Sequence, residues 1–340
     1  AVQGNVMRMA MWSLFASALM AAGPPNIGTI DFFGLDRIPE SRLREQLGFQ
    51  EGDLLPPSKA AVEERLESLD GVVQARVTAL CCEDGAVTLF IGIEEKGAPH
   101  FTLLPEPSAA VSLPEELMEA YRGFLNALER SARAHGVPED RGPGDAPTAN
   151  AEVRGYQQRF AEQARSGYAL IRDVLRGASD PDARAAAALL AGYASDRKAA
   201  AGDLQHALRD PDEGVRQNAL RSLGDIALYS QRHPEAGVRI PPTWPIEMLH
   251  SVQWSDRTGA VDLLLKLTET RDAATLQQIR ERALAPLAEM ARWKSLPHAL
   301  RACLLLGRVA GMNDKEIEEA WTSGDRGKII AAAKASARRR

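Results

Sequence analysis

DPDARAAAALLAG at residues 180–192 and DPDEGVRQNALRSLG at residues 210–224 are two copies of one pattern. Superposing Arg184 on Arg216 places Ala187 on Ala219 and Gly192 on Gly224, a period of 32 residues. Each copy opens on Asp-Pro-Asp. An aspartate before a helix can accept its first free N–H groups, proline tolerates the first helical position, and acidic residues face the positive end of the helix dipole. Asp180 with Asp182, and Asp210 with Asp212, would also suit a cation or acid–base site, but the proline between them fits helix initiation better. A looser copy starts at Arg257 with Ala260, and an apolar helix follows at residues 301–307 (RACLLLG). A repeat of this length predicts stacked helix pairs that bury their apolar faces only against one another.

The Asp-Pro-Asp openings, the Arg and Ala three apart and the Gly at the helix end resemble the short HEAT repeats of phycobilin lyases and many bacterial scaffold proteins. The resemblance implies an all-α C-terminal solenoid over residues 151–325 that binds protein along its surface, and it carries no catalytic motif across. Residues 230–245 (SQRHPEAGVRIPPTWP) stretch the spacing to 41 between Arg216 and Arg257. Loops vary while a stack stays rigid, so this insertion is where partner specificity is expected, with Arg239, Ile240 and Trp244 as the candidate contacts. Trp244 packing down as a lid on the next helix pair is the other reading.

The N-terminal third changes period. IGTIDFF, ending at Gly34, reads as a strand, SRLREQLGF as a helix stopped by Gly48, and KAAVEERLESLDG as a helix stopped by Gly71. Two alternating runs follow, joined by Asp84-Gly85 as a hairpin turn. This β-α-α-β-β order, the turn Glu51-Gly52-Asp53, the phrase from Leu69 to Val77 (LDGVVQARV) and the close on Glu94-Glu95-Lys96 resemble a POTRA domain over residues 26–97. That resemblance implies a cell-envelope, protein-binding module with a three-stranded sheet whose edge can take up a partner strand. Charges such as Arg76 and Glu95 would oppose this by blunting the edge.

The fold class expected is therefore an α+β N-terminal domain plus an all-α solenoid. Residues 98–150 join the two through a helix striped by Leu117, Tyr121, Phe124 and Leu128 and a Pro/Gly-rich linker at residues 136–150. Arg8 precedes an apolar run at residues 9–22, too short to span a bilayer as a helix and read as a signal peptide over residues 1–23, with a buried helix or an uncleaved anchor as alternatives. Residues 326–340 read as a basic tail able to touch anionic lipid, or simply solvated.

A chain of 340 residues with 45% hydrophobic and 26% charged residues suits folded domains. Its net charge of −5 gives no overall footprint for nucleic acid. Three cysteines are too few for a zinc site or a disulfide framework. Cys81-Cys82 offers a redox or soft-metal pair, or one residue pointing in and one out; Cys303, inside ACLLLG, reads as core. The histidines are scattered singly, and no HExxH, GxSxG or GxxxxGK[ST] occurs. No catalytic, cofactor or metal residue is assigned. The function expected is a non-catalytic envelope adaptor with a protein partner and no nucleic acid; a lyase-like or metal-handling enzyme using the solenoid groove is the alternative.

Overall fold

The computed structural model describes residues 25–83, 85–135 and 150–338. The expected signal segment and most of the Pro/Gly-rich linker lie outside them. Two compact units form; the first joins the residues up to His100 with Ser251–Trp254 and Arg292–Ala299, and the second holds the rest.

In the first unit the order is β1 (Ile27–Phe33), α1 (Glu40–Leu47), α2 (Lys59–Glu67), β2 (Val72–Glu83) and β3 (Ala86–Glu95), the β-α-α-β-β succession read from the sequence. The sheet order is β1-β3-β2, with β3 parallel to β1 and antiparallel to β2. Ser58 caps α2 by accepting the Ala61 N–H, and Gly48 ends α1 in the left-handed region at φ 72°. Strand alternation sends Ile30, Phe32, Ala75, Val77, Leu89, Ile91 and Ile93 to one face, where they bury Leu43 and Leu47 of α1 and Val62 and Leu66 of α2.

The opposite face is also buried, by residues far along the chain. Phe33 and Phe90 are both fully excluded from solvent. Trp293 lies with its ring centroid 4.8 Å from Phe90 and 5.9 Å from Phe33, and Trp254 and His298 close on Phe90 at 5.5 and 5.3 Å. Aromatic pairs at these separations add to the gain from area burial. A Cβ on Gly92 would fall 2.0 Å from the Val252 carbonyl oxygen, so the backbone of the covering segment rests directly on β3. The Asp31 carboxylate accepts the Lys294 N–H at 2.9 Å, and Lys294 Nζ pairs with Glu51 at 2.6 Å. The compact unit is therefore larger than residues 26–97 and is discontinuous in sequence.

Strand addition at the sheet edge, expected from the resemblance, meets occupied positions. On β2 the outward N–H groups of Ala75 and Val77 donate to Glu67 and Glu63 of α2 at 2.9 and 2.8 Å. On β1, Ile27 exchanges backbone bonds with Gly52 and Asp53, Glu51 accepts the Ile30 N–H, and Arg44 donates to the Ile30 carbonyl. The edge is closed at these positions by helix carboxylates and one turn. Of the two residues named as blunting it, Arg76 pairs with Glu67, whereas Glu95 serves the interior by accepting the N–H groups of Asp36, Arg37 and Ile38.

The second unit is helical: α3 (Glu115–His135), α4 (Ala151–Gly177), α5 (Pro181–Ala191), α6 (Arg197–Ala207), α7 (Glu213–Arg232), α8 (Thr243–Met248), α9 (Trp254–Leu267), α10 (Ala273–Arg282), α11 (Leu284–Met290), α12 (Leu296–Ala310), α13 (Asp314–Thr322) and α14 (Arg326–Arg338), of which α9 and α12 begin within the first unit. Asp180 caps α5 with Pro181 in its first turn, as the Asp-Pro-Asp reading has it, whereas in the second copy Asp212 is the cap of α7 and Pro211 lies before the helix. Small residues set the helix approach: a Cβ at Gly259 on α9 would meet Leu220 of α7 at 2.7 Å. The stretch expected as a basic tail is instead a helix through Arg338, because Ile329, Ile330 and Ala333 give it an apolar stripe that is buried. Trp293→Ala should cost about 3–5 kcal/mol by leaving a cavity over Phe33 and Phe90; urea unfolding measures it, and a change within 0.5 kcal/mol of zero would show that this face does not depend on the indole.

Candidate functional site

The repeat arginines used to find the period are buried. Arg184, Arg216 and Arg257 are 0%, 2% and 3% exposed. Each reaches forward along the chain to a carboxylate: Arg184 to Asp210 through two bonds of 2.8 and 2.9 Å, Arg216 to Asp256 at 2.9 Å, and Arg257 to Glu289 at 2.8 Å. Two of them also clamp the preceding turn: Arg184 Nη1 donates to the carbonyls of Ala178 and Ser179, and Arg216 Nη1 to those of Asp210 and Pro211. At Arg184 burial works against the charge but the Asp210 bonds outweigh it and hold the guanidinium above its ordinary value; at Arg257 burial wins over Glu289 and lowers it. Three of the four carboxylates that suited an acid–base site are thus engaged, Asp180 and Asp212 as caps and Asp210 as the partner of Arg184.

The insertion at residues 230–245 forms a short 3-10 turn at Pro234–Ala236, an extended piece, and α8. Trp244 is half-buried with the Arg209 guanidinium 4.4 Å above its ring, and Gln205 of α6 donates to the Pro241 carbonyl at 3.1 Å. At the other end the Arg239 charge helps lower the Asp272 carboxyl, after the larger effect of its bond from the Thr275 N–H at the start of α10. The insertion is a strap tied at α6 and facing α10. It leaves Arg239 exposed and Ile240 half-buried, while Trp244 is turned to the Arg209 side, nearer to a lid than to an open contact.

Cys81 is exposed and disulfide-bonded; the side chain of Cys82 lies outside the described residues. Cys303 is a free thiol inside α12, and burial pushes it up to about 11, which keeps it protonated and inert. Among the described residues no group of three or more His, Cys, Asp or Glu is placed to hold a metal, and no helix is long and apolar enough to cross a membrane.

A feature that no repeat or motif signals is Asp225 on α7. It is half-buried, and burial pushes its carboxyl up to about 6 although Lys266, Arg221 and Arg197 pull it down. It also faces Tyr193, whose hydroxyl is raised by burial and by the same carboxylate. The only sequence signal was an acid at a helix position between apolar residues, GDIAL.

Residues 169–236, the stretch that holds α5 to α7, match the HEAT repeats family, which supports a solenoid of helical repeats there. No curated protein matches the chain. Among solved structures, a designed armadillo repeat protein aligns at 18% identity and a TM-score of 0.35, covering 57% of this chain and 96% of its own. A computationally designed armadillo repeat protein for modular peptide recognition aligns at 16% and 0.36, covering 65% and 99%. A third, in complex with the peptide (KR)4, gives 16%, 0.35, 65% and 99%.

Arg216→Ala should destabilise by about 3–5 kcal/mol, because it strands the buried Asp256 carboxylate, whereas Arg216→Met with Asp256→Leu should recover most of that loss; denaturant midpoints of the two variants decide it. Asp225 makes a second prediction. A carboxyl raised in the fold from 3.8 to about 6 contributes stability below pH 3.8 that is lost as pH rises through 6. Asp225→Asn should therefore be more stable than the parent at pH 7 by on the order of 2 kcal/mol and equal to it near pH 3, as read from paired unfolding curves.

Proposed function

We propose that this chain is a non-catalytic adaptor that holds a protein partner on its repeat stack, with Arg239 and Ile240 among the contacts, and that it works in the cell envelope with a POTRA-like domain at its N-terminal end. The observation that carries the reading is the strap at residues 230–245: it is anchored at α6 through Pro241 and Trp244, yet presents Arg239 to solvent. A pinned loop loses little conformational freedom on binding, which favours its use as a contact. The repeat charges, by contrast, are consumed inside the stack and supply cohesion rather than recognition.

Export is supported by the basic and apolar start of the sequence. Partner capture through the sheet edge is left out of the proposal, since Ala75, Val77, Ile27 and Ile30 already spend their edge groups within the unit.

The test is affinity capture from envelope extract with the whole chain as bait, beside a chain carrying Arg239→Ala and Ile240→Ala. A partner retained by the first and reduced about tenfold on the second, or roughly 1.4 kcal/mol, is the expected result. Equal retention removes the strap from the reading. Recovery of a metal or small molecule in place of any protein points to the enzyme alternative. N-terminal sequencing of the mature chain from cell fractions tests export: an intact residue 1–23 segment in the cytosolic fraction overturns that part.

A further inference from the structure

Three helices and the turn after α5 bring ionisable side chains to one corner of the second unit. Asp225 of α7 faces Tyr193 in that turn, and the charges of Arg197 on α6, Arg221 on α7 and Lys266 on α9 all act on it. The four charged groups are half-buried. Two of them are held by contacts of their own. The Arg197 guanidinium lies 4.0 Å over the Tyr229 ring, with Nη1 donating to the Gly192 carbonyl at 3.3 Å, and the Arg221 guanidinium lies 5.4 Å from the centre of the Phe124 ring.

The other two attract each other without closing. Among the described residues neither the Asp225 carboxylate nor the Lys266 ammonium has a hydrogen bond or an ion pair. Lys266 reaches the corner across Gly224, where an added Cβ would fall 2.5 Å from its Nζ. Its second acidic neighbour, Asp262, is taken by Arg301 at 2.5 Å. Charges that give up hydration without a partner are costly, and the repeat arginines of the same stack avoid that cost by closing on their carboxylates. An ammonium and a carboxylate held in range but apart leave room for a third group. Three cations against one carboxylate make that group an anion, and donors arriving from three helices rather than in one plane suit a tetrahedral oxyanion better than a flat carboxylate.

We propose that this corner binds a tetrahedral oxyanion of the phosphate or sulfate type, with Lys266, Arg197 and Arg221 donating to its oxygens and protonated Asp225 as a further donor. The anion and the Asp225 proton enter together, because an ionised carboxylate there repels the ligand and a protonated one hydrogen-bonds to it. Burial already holds this carboxyl at about 6 against the three cations. Affinity therefore rises as pH falls through 6 and drops above it. The site is separate from the strap at Arg239 and stands or falls independently of it.

Isothermal titration of the full chain with sodium sulfate, at an ionic strength held constant with chloride, is the test, since sulfate keeps its charge across this pH range. Saturable binding at pH 5 that is about tenfold weaker at pH 7.5 is the expected result. Asp225→Asn, which keeps a neutral donor at every pH, should bind equally at both values, and Lys266→Met should lose about tenfold at pH 5. No saturable binding at pH 5 overturns the proposal, as does a pH dependence that survives Asp225→Asn or an affinity unchanged by Lys266→Met. If Lys266→Met does not fold, the near-isosteric Asp225→Asn chain decides. N-acetyl-phosphoserine amide in place of sulfate then separates the sources: binding at least as tight as sulfate assigns the site to a phosphorylated partner residue, and exclusion of the bulkier compound assigns it to a free ion.

Discussion

A guanidinium group buried among helices is costly unless a carboxylate meets its charge, and the stack meets that need three times. Arg184, Arg216 and Arg257 each reach a carboxylate that follows in the chain. Breaking one side of such a pair strands a charge in a medium that solvates it poorly, so each pair enforces a particular helix arrangement more than it adds stability. The alanines and glycines around them let the helices close, as at Gly259 against Leu220, and the close approach in turn is what dries the arginines. Identity and spacing therefore support each other. An arginine of this kind is a locating pin, and its charge is absent from the surface that a partner meets.

The sheet obeys a different constraint. Three strands with two helices on one side leave the other side apolar at Phe33 and Phe90, and a sheet face of that kind needs a cover. It comes from Ser251–Trp254 and Arg292–Ala299, where Trp254, Trp293 and His298 enclose Phe90. Asp31 sits on the same face and stays buried, its carboxyl raised by desolvation even though the Lys294 and Ser295 N–H groups oppose that rise. These bonds fix where the covering turn begins.

Much of this was legible locally. Caps, stops and the period of 32 declare themselves within a few residues, since Asp180 need only find the Asp182 N–H two positions away. The β-α-α-β-β order follows from alternation and glycine stops in the same way. What the sequence could not announce were the pairings across long separations. Nothing in IGTIDFF says that Phe33 will meet Trp293, and Arg184 gave the period while its partner Asp210 read as part of the next helix start. No local pattern marks Glu63 and Glu67 as the groups that reach the β2 amides; they do so because α2 packs beside that edge. In the candidate site, the exposure of Arg239 agreed with a loop reading, but the cover of Arg209 over Trp244 depends on how α6 ends, which local pattern does not encode.

The cover over Phe33 and Phe90 also sets a schedule. Phe90 precedes Trp293 by 203 residues. At a synthesis rate of about 5–20 residues per second, roughly 10–40 seconds separate the appearance of the strands from that of the indole that seals them. For that interval two phenylalanines stand on an open sheet face, a surface that invites association with other nascent chains. The newborn protein thus carries a transient need for protection that the finished fold no longer shows, and its folding yield is tied to whatever shields one strand face while two-thirds of the chain is still being made.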